Sequence, residues 1–131
     1  MNSKLIYEKE SYTIRGASYE VYKQIGCGFL ESVYQDCLAR EFRLQNIPFE
    51  PQKTLRLHYR GELIEPVFVA DFICYNKIIV GIKAISGLAP IHEAQVMNYL
   101  KMTDMQLGLL VNFGSYPKAT IKRIVNSVKV G

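Results

Sequence analysis

Two charged side chains stand inside otherwise apolar runs: Asp71 in Val69-Ala70-Asp71-Phe72-Ile73, and Lys83 in Ile78-Ile79-Val80-Gly81-Ile82-Lys83-Ala84. Burying an unpaired carboxylate or ammonium costs several kcal/mol, so each group needs compensation. One arrangement is structural, an Asp71–Lys83 ion pair joining neighbouring strands. The other is chemical, with these two residues and Glu31 surrounding a divalent cation and a phosphate. Hard ions such as Mg²⁺ take oxygen ligands, commonly one or two carboxylates together with water and substrate phosphate. A lysine beside them stabilises charge on phosphoryl oxygens or orients an attacking water. Gln95 and Tyr99 lie one helical turn apart and share a face. They would present an amide and a phenol to the same cleft, unless that face is simply a partly buried helix surface.

The elements that must position these groups follow from periodicity. Ile14, Ala17, Val21 and Ile25 recur at helical spacing and predict a first helix from about Tyr12, ending at Gly26. After Gly26-Cys27-Gly28, the residues Leu30, Val33, Tyr34, Cys37, Leu38 and Phe42 predict a second helix over about Leu30 to Gln45, closed by Pro48 and Pro51. Leu55, Leu57 and Tyr59 alternate with polar residues up to Arg60-Gly61, a half-buried strand entering a hairpin. Val67–Tyr75 and Ile78–Ile85 read as two more strands with a turn near Asn76-Lys77. A helix carrying Ala94, Met97, Tyr99 and Leu100 follows Pro90, then a buried strand Leu107–Phe113 and a tail from Ala119 to Val130 that starts as a strand. The expected core is Ile14, Val21, Leu30, Leu38, Phe42, Phe72, Val80, Ile82, Leu100, Leu109 and Val111, with the Tyr34 hydroxyl bonded beneath the cleft.

At 131 residues the chain fits one domain spanning 1–131, and 49% hydrophobic with 21% charged residues is ordinary for a globular protein. Its apolar runs are too short to span a bilayer, and Glu8 and Glu10 interrupt any N-terminal leader, so the expected location is cytoplasmic, away from membranes. Cys27, Cys37 and Cys74 lack the spacing of a zinc site or disulfide framework and read as buried, reduced thiols. The net charge of +4 is compatible with nucleic acid but does not demand it. No heptad seam marks a homo-oligomer.

Gly28-Phe29-Leu30-Glu31-Ser32-Val33-Tyr34 fits the pattern Gly-x-x-Glu-x-x-Tyr. Tyr59-Arg60-Gly61, Ala70-Asp71, Ile82-Lys83-Ala84, Gln95 to Leu100 and Gly108 to Gly114 follow in order. Over roughly residues 14–124 the chain thereby resembles the GxxExxY branch of the PD-(D/E)xK nuclease superfamily. That resemblance implies an α/β (α+β), restriction-endonuclease-like core: a mixed sheet with an antiparallel hairpin portion, flanked by helices. It further implies that Glu31 is the acid of the leading helix, Asp71 the metal-binding aspartate, and Lys83 the motif lysine. Gln95 and Tyr99 correspond to the Gln-x-x-x-Tyr pair beside the site. The implied cofactor is Mg²⁺ or Mn²⁺ on Asp71 and Glu31, and the implied substrate is a DNA or RNA phosphodiester.

One position departs from the pattern. Where the family has glutamate two residues before the lysine, this chain has Gly81, which offers no ligand and weakens a strand interior. A weakened or inactive hydrolase is one expectation; a non-catalytic module binding nucleic acid or protein is the other. Glu93 is a candidate replacement carboxylate. Geometry supplies a sharper expectation, because side chains alternate along a strand. A two-residue turn at Asn76-Lys77 would set Asp71 opposite Ile82 and point Lys83 away, so a shared cleft requires an odd connection such as Tyr75-Asn76-Lys77, or a bulge. Asp71 should then pair near position 81, with the Lys83 amine within salt-bridge or water-bridging reach.

Overall fold

The computed structural model describes residues 6–127. Helix α1 (Glu8–Ile25) begins one turn before the expected start and ends where Gly26 takes φ 70, a left-handed conformation that glycine adopts without strain. Helix α2 spans Glu31–Leu44. Strands β1 (Phe49–Tyr59), β2 (Glu62–Cys74) and β3 (Ile78–Lys83) precede helix α3 (Pro90–Thr103), which is followed by β4 (Leu107–Asn112) and β5 (Thr120–Val125). The part of the tail beyond residue 127 lies outside the described residues.

The five strands form one sheet in the order β1-β2-β3-β4-β5. β1, β2 and β3 run as an antiparallel meander, β3 and β4 pair in parallel across the α3 crossover, and β5 returns antiparallel. This is the expected mixed sheet with an antiparallel hairpin portion. β1 starts earlier than Leu55 and takes in Pro51. A proline that cannot donate to a ladder is tolerated there because β1 is an edge strand.

Alternation splits the sheet's side chains between two apolar layers. Phe72, Cys74, Ile78, Val80, Ile82, Leu107, Leu109 and Val111 pack with Ile14, Val21, Tyr34, Leu38 and Phe42 of α1 and α2. Ala70, Ile73, Ile79 and Leu110 pack with Val96 and Leu100 of α3. All the expected core residues are buried except Leu30, which is 76% exposed. It is the N-cap of α2, with extended backbone (φ −67, ψ 154), so helical spacing does not govern where its side chain points.

The thiols also differ from expectation, since only Cys74 is buried while Cys27 and Cys37 are half-buried. Burial pushes the Cys74 thiol well up from its ordinary value. Because the thiolate is the reactive form, iodoacetamide at mildly alkaline pH should label Cys27 and Cys37 first and leave Cys74 unmodified until the chain unfolds, as read by peptide mass spectrometry. Labelling of Cys74 at the rate of the other two would mean that the helix layer over β2 opens readily.

Candidate active-site cleft

The connection between β2 and β3 decides whether a site exists. Cys74 pairs with Ile78, so the loop is Tyr75-Asn76-Lys77, an odd connection. Tyr75 (φ 55) and Asn76 (φ 59) are both left-handed, and the Lys77 N–H bonds the Cys74 carbonyl at 3.1 Å. The turn is therefore of the I′ kind with Lys77 as an additional residue. Continuing the register one step beyond Phe72–Val80 sets Asp71 opposite Gly81, and Lys83 follows on the same side. All three positions lie on the α3 face.

That continuation is not made by backbone pairing. The β2–β3 ladder stops at Phe72–Val80, whereas β3 stays paired with β4 as far as Lys83. Beyond the stop, the Ile82 N–H is taken by Asp71 Oδ2 at 2.8 Å, and the Asp71 carbonyl accepts from Gln35 Nε2 at 3.2 Å. A side-chain carboxylate thus stands in for a strand carbonyl, and the splayed strands leave a cleft of about 180 Å³. Its lining includes Glu31, Asp71, Gly81, Lys83, Gln95 and Tyr99. The structure therefore brings together all five residues singled out from the sequence, with the departing position among them.

Each is delivered by its own element. Glu31 is the first residue of α2, where a carboxylate is favoured by the helix dipole. The turn before it is fastened by Tyr34, which is fully buried, donates its hydroxyl proton to the Gly26 carbonyl at 2.5 Å and accepts the Phe29 N–H at 3.3 Å. Its ring stacks on Phe113 at 4.5 Å. Tyr34 is bonded as expected, but it buttresses the α1–α2 turn and does not line the cleft itself. Gln95 and Tyr99 come from the exposed side of α3, whose Val96 and Leu100 face the core.

The electrostatics are those of a crowded anionic site. Burial raises the Asp71 pKa; the Ile82 N–H pulls it down, the neighbouring Glu31 charge pushes it up and Lys83 pulls it down. Burial, and then the Asp71 charge, raise the Tyr99 phenol. The structural Asp71–Lys83 ion pair is not formed: among the described residues, the ion pairs are Arg40–Asp36, Lys53–Glu50, Lys77–Glu10 and Lys122–Glu93. Lys83 influences Asp71 from beyond salt-bridge distance, so its ammonium is left for another anion. Glu93 is no replacement ligand, because its carboxylate is engaged with Lys122 at 3.5 Å and it does not line the cleft.

No group of three or more His, Cys, Asp or Glu side chains gathers to hold a metal among the described residues. Two carboxylates remain, Asp71 and Glu31, which repel one another and leave Asp71 Oδ1 without a protein donor among the described residues. Such a pair fits a hard divalent ion that completes its shell with water and phosphate. It does not fit a closed protein cage.

Two residues without an assigned role in the sequence reading prove structural partners of the site. Gln35 lies one helical turn after Glu31 and secures the splayed strand. Asn112 is fully buried: its Oδ1 accepts the Ile85 and Gly114 N–H groups, and its Nδ2 donates to the Ile85 carbonyl and Ser115 Oγ. It thereby fixes the chain just after Lys83. A buried polar residue at the end of an apolar strand was the available signal.

A family model described as the PD-(D/E)XK nuclease superfamily matches residues 8–124. The crystal structure of SSO0001 aligns with a TM-score of 0.58 at 21% sequence identity, covering 94% of this chain and 61% of that one. The likeness is one of fold, and this chain spans about three fifths of that protein's length. No curated protein matches the chain.

Proposed function

Since the chain belongs to the PD-(D/E)XK nuclease superfamily, we propose that its cleft receives a DNA or RNA phosphodiester beside one Mg²⁺ or Mn²⁺ ion, with hydrolysis weakened or lost through Gly81. The observation that supports this reading is the meeting of Glu31, Asp71, Lys83, Gln95 and Tyr99 around one cleft, with Lys83 unpaired among the described residues.

Asp71 and Glu31 would hold the ion, which when bound supplies charge neutralisation at the phosphate and acidifies water. Lys83 is placed to stabilise negative charge on the phosphoryl oxygens, a task for a fixed, partly desolvated cation. Gln95 and Tyr99 donate hydrogen bonds from the opposite wall and orient the phosphate; with its pKa raised, the Tyr99 phenol keeps its proton. Position 81 is where a further carboxylate would stand, and its absence leaves the ion with fewer anionic ligands. The same cleft without turnover is a phosphate-binding module, the second reading, and Gly81 is the observation that favours it.

Cleavage assays on single- and double-stranded DNA and RNA with Mg²⁺ or Mn²⁺ test the proposal. Lys83→Met should reduce oligonucleotide affinity or cleavage roughly tenfold or more, as expected for an ammonium–phosphate contact worth about 1.5–3 kcal/mol. Nucleic-acid binding unchanged in Lys83→Met, with no cleavage by either protein, would remove the cleft from the explanation.

A further inference from the structure

Next to the phosphate cleft lies a larger groove of about 590 Å³, between one side of α3 and the β1–β2 hairpin. Gln95 and Tyr99 line both spaces, so the two adjoin. The floor is apolar and aromatic: Phe68 and Tyr99 stand with ring centroids 6.4 Å apart at 59°, alongside Leu57 and Met102. Besides Gln95 and Tyr99, shared with the cleft, the polar groups at the groove are the Asn98 amide and the Lys101 ammonium, both on exposed positions of α3.

Helical spacing explains why this surface exists. Ile91, Ala94, Gln95, Asn98, Tyr99 and Met102 follow the three- and four-residue steps of one face. Val96 and Leu100 occupy the neighbouring face and anchor α3 to the sheet. The outer face meets the hairpin at the Phe68–Tyr99 ring contact and is open beyond it, where Ile91 is 73% exposed.

Resting on the reading of the cleft as a phosphodiester site, we infer that this groove holds an unpaired nucleobase of the strand whose phosphate occupies the cleft, making single-stranded DNA or RNA the favoured substrate class. A base has apolar faces and a hydrogen-bonding edge, which is the chemistry the groove offers: rings and aliphatic groups to cover the faces, the Asn98 amide to meet the edge, and Lys101 for the next phosphate along. A duplex keeps its bases stacked inward and would bring only backbone to the cleft. An apolar peptide would also cover the floor, but the adjoining cleft with Lys83 in its lining and the cation at Lys101 favour an anionic polymer.

The test is fluorescence anisotropy with a fluorescein-labelled single strand, as DNA and as RNA, against the same strand carrying abasic sites and against its duplex. The intact strand should bind at least roughly tenfold more tightly than the abasic one, since one stacked base is worth about 1–3 kcal/mol. Asn98→Ala, on an exposed helix position, and Phe68→Ala should each narrow that difference while leaving duplex and abasic affinities unchanged. The abasic comparison needs no substitution, so it decides even if Phe68→Ala folds poorly. Whether the DNA or the RNA strand binds more tightly identifies the source of the base. Equal affinity for intact, abasic and duplex forms, still lowered by Lys83→Met, would overturn the base site and leave the phosphate cleft standing. No binding of any form would overturn both.

Discussion

Gly81→Glu should tighten Mn²⁺ binding by roughly tenfold or more, about 1.4 kcal/mol, and raise cleavage of oligonucleotides above the wild-type level. A Cβ built at position 81 lies 4.0 Å from Asp71 Oδ2 and 3.3 Å from Val96 Cγ2, so the new side chain starts in the cleft beside the aspartate. Val96 must yield by a few tenths of an ångström, which a side-chain methyl can do. The added carboxylate would give a hard ion a third anionic ligand. Gly81→Ala is the control, since it carries the same Cβ without the ligand and should leave metal affinity unchanged. Calorimetry with Mn²⁺ on the three proteins reads the effect directly. Equal affinities, with no cleavage by any of them, would remove the hydrolase reading and leave a binding module.

The largest expected loss of stability is at Gly114. A Cβ there would sit 2.2 Å from the Ile85 carbonyl oxygen and 2.4 Å from its nitrogen, both backbone atoms that no rotamer change can move. The clash falls on the Asn112 network, which binds the Ile85 N–H and carbonyl and the Gly114 N–H. Gly114→Ala should therefore cost about 3 kcal/mol or more, at the upper end of what overpacking produces, because relief requires parting the segment after Lys83 from the end of β4. In urea this would appear as a lower midpoint with little change in slope. Gly16→Ala is a useful contrast, since nothing lies within 4 Å of its Cβ and alanine is the better helix former. A Gly114→Ala midpoint equal to wild type would mean that the β4 end and the Ile85 segment are not held together as described.

Much of this arrangement was legible in the residues. Isolated charges in apolar runs marked Asp71 and Lys83 because burial without compensation is expensive, and for the two to share a cleft strand parity required an odd β2–β3 connection or a bulge, of which Tyr75-Asn76-Lys77 provides the first. Gln95 and Tyr99 were placed by helical spacing and indeed line the cleft together. What escaped depended on distances between elements. Spacing assigned Leu30 to the core, but a cap residue does not follow the helix's own period. Nor does sequence say how far apart facing strands stand, so the direct Asp71–Lys83 pair was a reasonable expectation that the splayed ladder does not meet. Sequence makes Glu93 a candidate ligand, whereas its partner Lys122 comes from β5, a strand with no local relation to α3. The groove beside the cleft required knowing that β1 and β2 pass under one side of the same helix.

The bond from Ile82 to the Asp71 carboxylate bears on how such a protein would change over generations. An aspartate that closes a gap between strands is kept for the sake of folding, whatever becomes of turnover. Asn at 71 would still offer an acceptor there, but an apolar residue would leave the Ile82 N–H without one. Position 81 makes no comparable bond to the strand, although a Cβ there would touch Val96 and Leu110 as well as the cleft. With selection for cleavage removed, a glutamate at 81 would be freer to drift than the aspartate. An intact aspartate in a relative is therefore by itself weak testimony that the relative still cuts.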